Sequence, residues 1–264
     1  MSLLQALIFD VDGTLADTEE THRRAFNRAF ADAGLDWDWS PELYAELLST
    51  SGGRERIHHY GHDCRKRLSA PEAWVDFVAE LHSAKTRHYG AMLDAGELTL
   101  RPGVARLIDE ARSAGLVLGI ATSSTYGNLE SLLDRNLPRD WRNWFTAIET
   151  CDSIPQKKPS PAVYQAVLRR IGIAPAGCVA FEDTVNGLHA ASAAGLLTVV
   201  TTHAFTHTHD FTGAALVVDH LGEPGQPFAV LAGDPHGREY VTLGLLERLV
   251  EERILRQHVH GAAA

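Results

Sequence analysis

An apolar run, Leu7-Ile8-Phe9, opens near the start of the chain and stops at Asp10-Val11-Asp12-Gly13-Thr14. Such a run predicts a short strand. After Thr14 the period lengthens to that of a helix. Ala25, Phe26, Ala29, Phe30 and Ala33 share one face that ends at Gly34, and Asp17 with Glu20 is spaced as a capping box. Ser40-Pro41 starts another helix, running to about Leu48. Gly52-Gly53 breaks the chain before a short segment from Arg54 to Tyr60. Ser69 and Glu72 form a second capping box, and Trp74, Phe77, Val78 and Leu81 carry that helix towards Met92. From Asp17 to about Gly96 the pattern is helical throughout.

From Leu100 the pattern alternates. A helix over Val104–Ala114 stops at Gly115, and Leu116–Ala121 is an uninterrupted apolar strand ending at Thr122. There follow a helix near Asn128–Arg135, a short strand Ala147–Glu149, a helix Pro161–Ile171, a strand Cys178–Phe181, a helix Val185–Ala194 and a strand Leu197–Val200. Continuous apolar runs between amphipathic helices predict a parallel sheet covered on both faces. Ala215–Val218 adds a last strand, Gly222–Gly237 reads as a proline- and glycine-rich loop, and Thr242–Leu255 is a terminal amphipathic helix. The expected fold class is α/β: a Rossmann-like parallel sheet with an all-helical insert after its first strand. The expected domains are a core over 1–16 and 97–222, a helical cap over 17–96, and a C-terminal extension over 223–264.

Composition narrows the partners. The 264 residues carry 34 acidic against 24 basic side chains, a formal charge of −10, which argues against nucleic acid and anionic membranes. No run approaches the length of a membrane span, and no basic-then-apolar leader precedes Leu7. Three widely spaced cysteines, Cys64, Cys151 and Cys178, imply no disulfide framework. A cytoplasmic protein is expected, as a monomer with a dimer as the alternative.

The polar residues that end the strands carry the candidate chemistry. Ligands of open parallel sheets bind beyond the carboxyl ends of the strands. Asp10 and Asp12 end the first, Thr122 and Ser123 the second, and Glu182-Asp183 the fourth, while Lys158 lies in the loop after the third. Converging carboxylates need a hard divalent cation, for which Mg²⁺ is suited. A carboxylate that attacks a phosphate meets like-charge repulsion, which a cation and the ammonium of Lys158 relieve.

With these motifs in place, the chain resembles the haloacid dehalogenase superfamily, whose four motifs are matched by Asp10-Val11-Asp12-Gly13-Thr14, Thr122, Lys158-Pro159 and Glu182-Asp183. The resemblance implies that Asp10 is a nucleophile forming an aspartyl phosphate and that Asp12 is the acid and then the base. It implies phosphoryl binding by Thr122 and Lys158. Mg²⁺ would be held by Asp10, the backbone carbonyl of Asp12 and Asp183, with Glu182 in support. Dehalogenating members lack an acid at the position of Asp12, so its presence favours phosphoryl transfer. Within the superfamily, Asp17-Thr18, His22, Gly52 to Arg56, Lys85-Thr86 and Arg101-Pro102-Gly103 look most like the CbbY-type phosphatases that act on xylulose-1,5-bisphosphate.

By that resemblance the cap closes over the site, Arg54 and Arg56 bind the far phosphate of a small phosphorylated sugar, and Glu19 and Tyr44 contact its hydroxyls. Arg54 stands where lysine is expected in that branch. His22 and Lys85 match positions used by β-phosphoglucomutases. A mutase of that type is therefore the alternative to a phosphatase, and an aspartate-phosphorylated receiver-like switch is the alternative of another class. The plainer readings are solvated helix charges for the two arginines and a structural group for His22. His58, His59, His62 and Cys64, and separately His203, His207 and His209, have spacings that could hold zinc.

Overall fold

The structure, a computed structural model, describes residues 3–50, 52–61, 71–96 and 98–261. The chain divides into two compact units, Met1–Asp17 with Thr99–Ala264, and Thr18–Leu98.

The first unit is built on a seven-stranded sheet in the order β3-β2-β1-β4-β5-β6-β7. Its strands are β1 (Ala6–Phe9), β2 (Val117–Ala121), β3 (Ala147–Glu149), β4 (Cys178–Glu182), β5 (Leu197–Thr201), β6 (Leu216–Val218) and β7 (Val230–Gly233). The first six are parallel, with Ala6 opposite both Val117 and Cys178, so β1 lies between β2 and β4. All four residues of β1 are buried, which is why it reads as a continuous apolar run. Phe9 and Phe181, paired in register across β1 and β4, stack with ring centroids 4.7 Å apart. On the other face Ile8, Val167, Tyr164 and Cys178 share a core cluster. Burial pushes the Cys178 thiol up to about 12, as expected of a core residue rather than a reactive one.

The stretch read as loop, Gly222–Gly237, contains β7, which pairs antiparallel with β6 and forms one edge of the sheet. Its four residues are all exposed, so no buried alternation marks it in the sequence. The expected parallel architecture holds elsewhere, giving a mostly parallel α/β fold.

Helices α1 (Glu19–Asp32), α2 (Pro41–Leu47), α3 (Gly53–Tyr60) and α4 (Pro71–Asp94) make the second unit. Ser40 caps α2 by accepting from the Leu43 amide at 3.2 Å. The capping box expected at Asp17 and Glu20 does not form. Thr18 is the N-cap residue and its side chain makes no capping bond, and the Glu20 carboxylate instead accepts from Arg23 at 2.6 and 2.8 Å. The second box, at Ser69, begins outside the described residues, as do His62, Cys64 and Arg65-Lys66-Arg67.

The first unit is completed by α5 (Val104–Ser113), α6 (Tyr126–Asn136), α7 (Ala162–Ile171), α8 (Val185–Ala193) and α9 (Leu243–Gly261). Among the described residues, no helix is long and apolar enough to cross a membrane.

Candidate active site

Because β1, β2 and β4 run parallel, the residues that follow them emerge at one edge of the sheet. Asp10 follows β1 directly, its amide held by the Phe181 carbonyl at 3.0 Å. From the loop after β3, the Lys158 ammonium donates to Asp10 Oδ1 and to Glu182 Oε1, each at 2.6 Å. All three side chains are almost fully buried. Tyr164, one turn into α7, donates its hydroxyl to the same Glu182 oxygen at 2.5 Å. Asp183 meets His203, Oδ2 to Nε2 3.0 Å. The carboxylate oxygens of Asp10, Glu182 and Asp183 lie within 4.8 Å of one another.

This density of negative charge shows in the proton affinities. Burial, opposed by Lys158 and reinforced by Glu182 and Asp12, pushes the Asp10 carboxyl up to about 7. Burial likewise raises Glu182. For Lys158 burial works the other way, but Asp10 and Glu182 outweigh it and hold the ammonium charged. One lysine contacting two of three buried carboxylates leaves an excess of negative charge. A divalent cation with a preference for oxygen ligands would remove that excess, so the donor set fits such an ion.

Two glycines make the close packing of acids possible. Gly13 has φ of +79°, and a Cβ there would overlap the Asp183 carboxylate. A Cβ at Gly187, in the first turn of α8, would overlap that of Glu182. The turn from Asp10 is tight, with the Leu15 amide on the Val11 carbonyl at 2.9 Å and Gly13 on Ala16 at 2.8 Å. Arg101 braces it from outside. Its guanidinium donates to the Gly13 carbonyl and, at 2.5 Å each, to the carbonyls of Thr202 and Asp219.

The other residues singled out in the sequence fall into two groups. In the first unit, Asp12 is half-buried two residues after Asp10, and its side chain lies outside the three-acid cluster. Thr122 is buried at the end of β2, its Oγ1 accepting from the Ser124 amide at 3.0 Å, and Ser123 beside it is half-buried. In the helical unit, Tyr44 is fully buried, donates to Glu19 Oε2 at 2.7 Å and accepts from Arg56 Nη1 at 2.8 Å. Arg56 also donates to the Leu47 carbonyl at 3.1 Å, so its guanidinium is engaged inside the unit. Lys85 Nζ lies 2.8 Å from His22 Nδ1, with His22 stacked on Tyr89 at 4.0 Å. Arg54 is exposed, beside a cleft of about 720 Å³ lined by His58, His59, Val75 and Val78.

The histidine spacing at His203, His207 and His209 does not make a zinc site. His203 turns to Asp183, and His207 Nδ1 contacts the Ala204 carbonyl at 2.9 Å. The one group of possible metal ligands among the described residues is the three-acid cluster. Tyr164 and the contact of His203 with Asp183 were not foreseen, because nothing in the local pattern separates Tyr164 from a core aromatic.

With this geometry in hand, comparison with known proteins is decisive. Residues 4–195 match the family described as haloacid dehalogenase-like hydrolase. The chain belongs to the haloacid dehalogenase-like hydrolases. Among relatives of this family, the plasmid-encoded protein CbbY of Cupriavidus necator is 51% identical over 229 residues, covering 85% of this chain and 88% of its own. A crystal structure of CbbY from Rhodobacter sphaeroides with phosphate superposes with a TM-score of 0.73 at 42% identity, covering 82% of this chain and 94% of that one. A mutant of the same protein in complex with xylulose-1,5-bisphosphate gives 0.75 at 41% identity, covering 84% and 96%. This haloacid dehalogenase-like hydrolase is a phosphatase, in keeping with relatives that include a putative phosphatase of Bacillus subtilis, and the receiver-like alternative falls away.

Proposed function

We propose that the protein is a Mg²⁺-dependent phosphatase of a pentulose bisphosphate, with xylulose-1,5-bisphosphate as the leading substrate, acting through an aspartyl phosphate on Asp10. The observation that carries the chemistry is the buried contact of Lys158 with Asp10 and Glu182 at 2.6 Å, with Asp183 in the same acid cluster. The substrate assignment leans on the CbbY relative crystallised with that sugar bisphosphate.

In this reading the Asp10 carboxylate attacks phosphorus and the bond to the sugar oxygen breaks. Asp12 gives its proton to the departing alkoxide. The resulting Asp12 carboxylate then takes a proton from water, which attacks phosphorus, breaks the acyl phosphate bond and releases inorganic phosphate with Asp10 restored. Lys158 and Thr122 hold phosphoryl oxygens, with Ser123 beside them. A magnesium ion held by Asp10, Asp183 and the Asp12 carbonyl, with Glu182 behind, would supply charge neutralisation around the phosphoryl group. Arg54 is assigned the second phosphate, since of the two candidate arginines it is exposed while Arg56 is buried.

A panel of sugar mono- and bisphosphates, assayed with Mg²⁺ and after chelation and followed by phosphorus NMR, tests the assignment. Xylulose-1,5-bisphosphate should give the highest kcat/KM with inorganic phosphate accumulating, and chelation should stop the reaction. An isomeric sugar phosphate without net phosphate release would instead establish the mutase.

Arg54→Ala should raise KM for the bisphosphate about tenfold, the worth of one charge-assisted hydrogen bond, and leave a monophosphate nearly unaffected. Equal changes for both substrates would discard the far-phosphate role.

Metal and proton should also compete. The Asp10 carboxyl is raised from 3.8 to about 7, so the stability it contributes is full below the lower value and lost as pH rises through the upper one. Mg²⁺ favours the ionised form, so the rise in Tm on adding it should grow between about pH 4 and about pH 8. Thermal unfolding with Mg²⁺ or chelator across that range measures this, and a gain independent of pH would count against the ion at Asp10.

A further inference from the structure

His203 takes no part in the chemistry above, yet the fold delivers it to the same place. Parallel β5 lies next to β4 and ends at Thr201, so the residues that follow it emerge beside Glu182 and Asp183. The His203 side chain is 1% exposed and that of Asp183 2%, and Nε2 of the one lies 3.0 Å from Oδ2 of the other.

The turn holds the ring firmly. The His203 amide donates to Thr206 Oγ1 at 3.2 Å, and its carbonyl accepts from the amides of Thr206 and His207 at 3.0 Å each. With one guanidinium Arg101 grips the Thr202 carbonyl and the Gly13 carbonyl of the Asp10 turn. A Cβ on Gly13 would overlap Asp183 Oδ2 and stand 3.0 Å from His203 Nε2, so glycine there admits both groups.

The two ring nitrogens are told apart by their partners. The Phe205 amide donates to Nδ1 at 3.3 Å, so Nδ1 carries no proton and the single ring proton sits on Nε2. The contact with Asp183 is therefore an N–H bond from a neutral imidazole. Lys158 brings positive charge to Asp10 and Glu182. His203 brings a donor without charge, which fixes the direction of the Asp183 carboxylate and leaves its negative charge to attract a cation.

We propose that His203 is a positioning residue for the divalent cation, orienting Asp183 as a ligand and so tightening the site. The role rests on the Mg²⁺ reading above for the identity of the ion.

The test is calorimetric titration of the substrate-free full chain with Mg²⁺. His203→Leu, which fills the space and donates nothing, should raise the Mg²⁺ Kd about tenfold or more. His203→Gln, whose side-chain amide can place an N–H near the position of Nε2, should restore most of the affinity. A space-filling role would not separate these two variants. If His203→Leu does not fold, nitrogen NMR of the wild-type imidazole decides the matter: the metal-free ring should carry its proton on Nε2, and Mg²⁺ should shift that resonance saturably. The proposal is overturned if His203→Leu binds Mg²⁺ as tightly as wild type, if His203→Gln restores nothing, or if the ring proton is on Nδ1. A wild-type protein that binds no Mg²⁺ overturns the cation reading and this role together, an outcome distinct from equal binding by wild type and His203→Leu.

Discussion

Asp10→Asn should abolish turnover without unfolding the protein. An amide is a far weaker nucleophile than a carboxylate, and a loss of about 10⁴-fold or more, about 5.5 kcal/mol of barrier, is expected from steady-state kinetics on the preferred sugar phosphate. Stability should move the other way. Burial is the largest cause of the raised Asp10 proton affinity, and Glu182 and Asp12 add repulsion. Removing the charge while keeping the shape therefore relieves more than the lost contact with Lys158 costs, and the metal-free Tm should hold or rise. The Tm gain on adding Mg²⁺ should shrink. A variant that retained turnover would remove Asp10 as the nucleophile.

Lys158→Met should damage both rate and stability. The methionine keeps most of the length and none of the charge. Asp10 and Glu182, both almost fully buried, then lose the cation they share, and Glu182 keeps only neutral donors such as the Tyr164 hydroxyl and the Asp183 amide. Stranding buried charges in this way costs about 3–5 kcal/mol, a fall in Tm of roughly 10 °C for a chain of this size. The loss should be smaller in acid, where the stranded carboxylates take up protons, and larger at neutral pH. Loss of a cation aimed at the phosphoryl oxygens should lower kcat by about 10²–10³. Calorimetry at two pH values and steady-state kinetics measure both effects. Full stability with lowered kcat would mean that the buried pair contributes nothing to the fold.

The contrast between these two substitutions explains what could be read from the chain. In a parallel sheet every strand delivers the residue that follows it to the same edge. Local punctuation, an apolar run and then an acid or hydroxyl, therefore places Asp10, Thr122, Glu182 and Asp183 at one edge of the sheet. Lys158 was legible from Lys157-Lys158-Pro159, just before a helix start in the loop after the third strand. Groups whose environment is set by packing between distant segments were not legible. Tyr44 carries the pattern of a helix residue, yet it is sealed between Glu19 and Arg56, contacts 25 and 12 residues away along the chain. His203 suggested a metal by its spacing to His207 and His209, whereas the end of β5 brings it to Asp183. β7 escaped because an exposed antiparallel edge strand buries nothing and so leaves no period in the sequence. The expected box at Asp17 and Glu20 failed because Arg23, one helical turn on, takes the Glu20 carboxylate.

The central claim is that phosphorus is bonded to Asp10 during turnover. Mixing the Mg²⁺-loaded protein with xylulose-1,5-bisphosphate, quenching with borohydride within a turnover and sequencing the peptides by mass spectrometry tests it directly, because an acyl phosphate is reduced and a free carboxylate is not. The account predicts homoserine at position 10 in the substrate-treated sample and unmodified aspartate without substrate. Unmodified Asp10 in a sample that is releasing phosphate would contradict it.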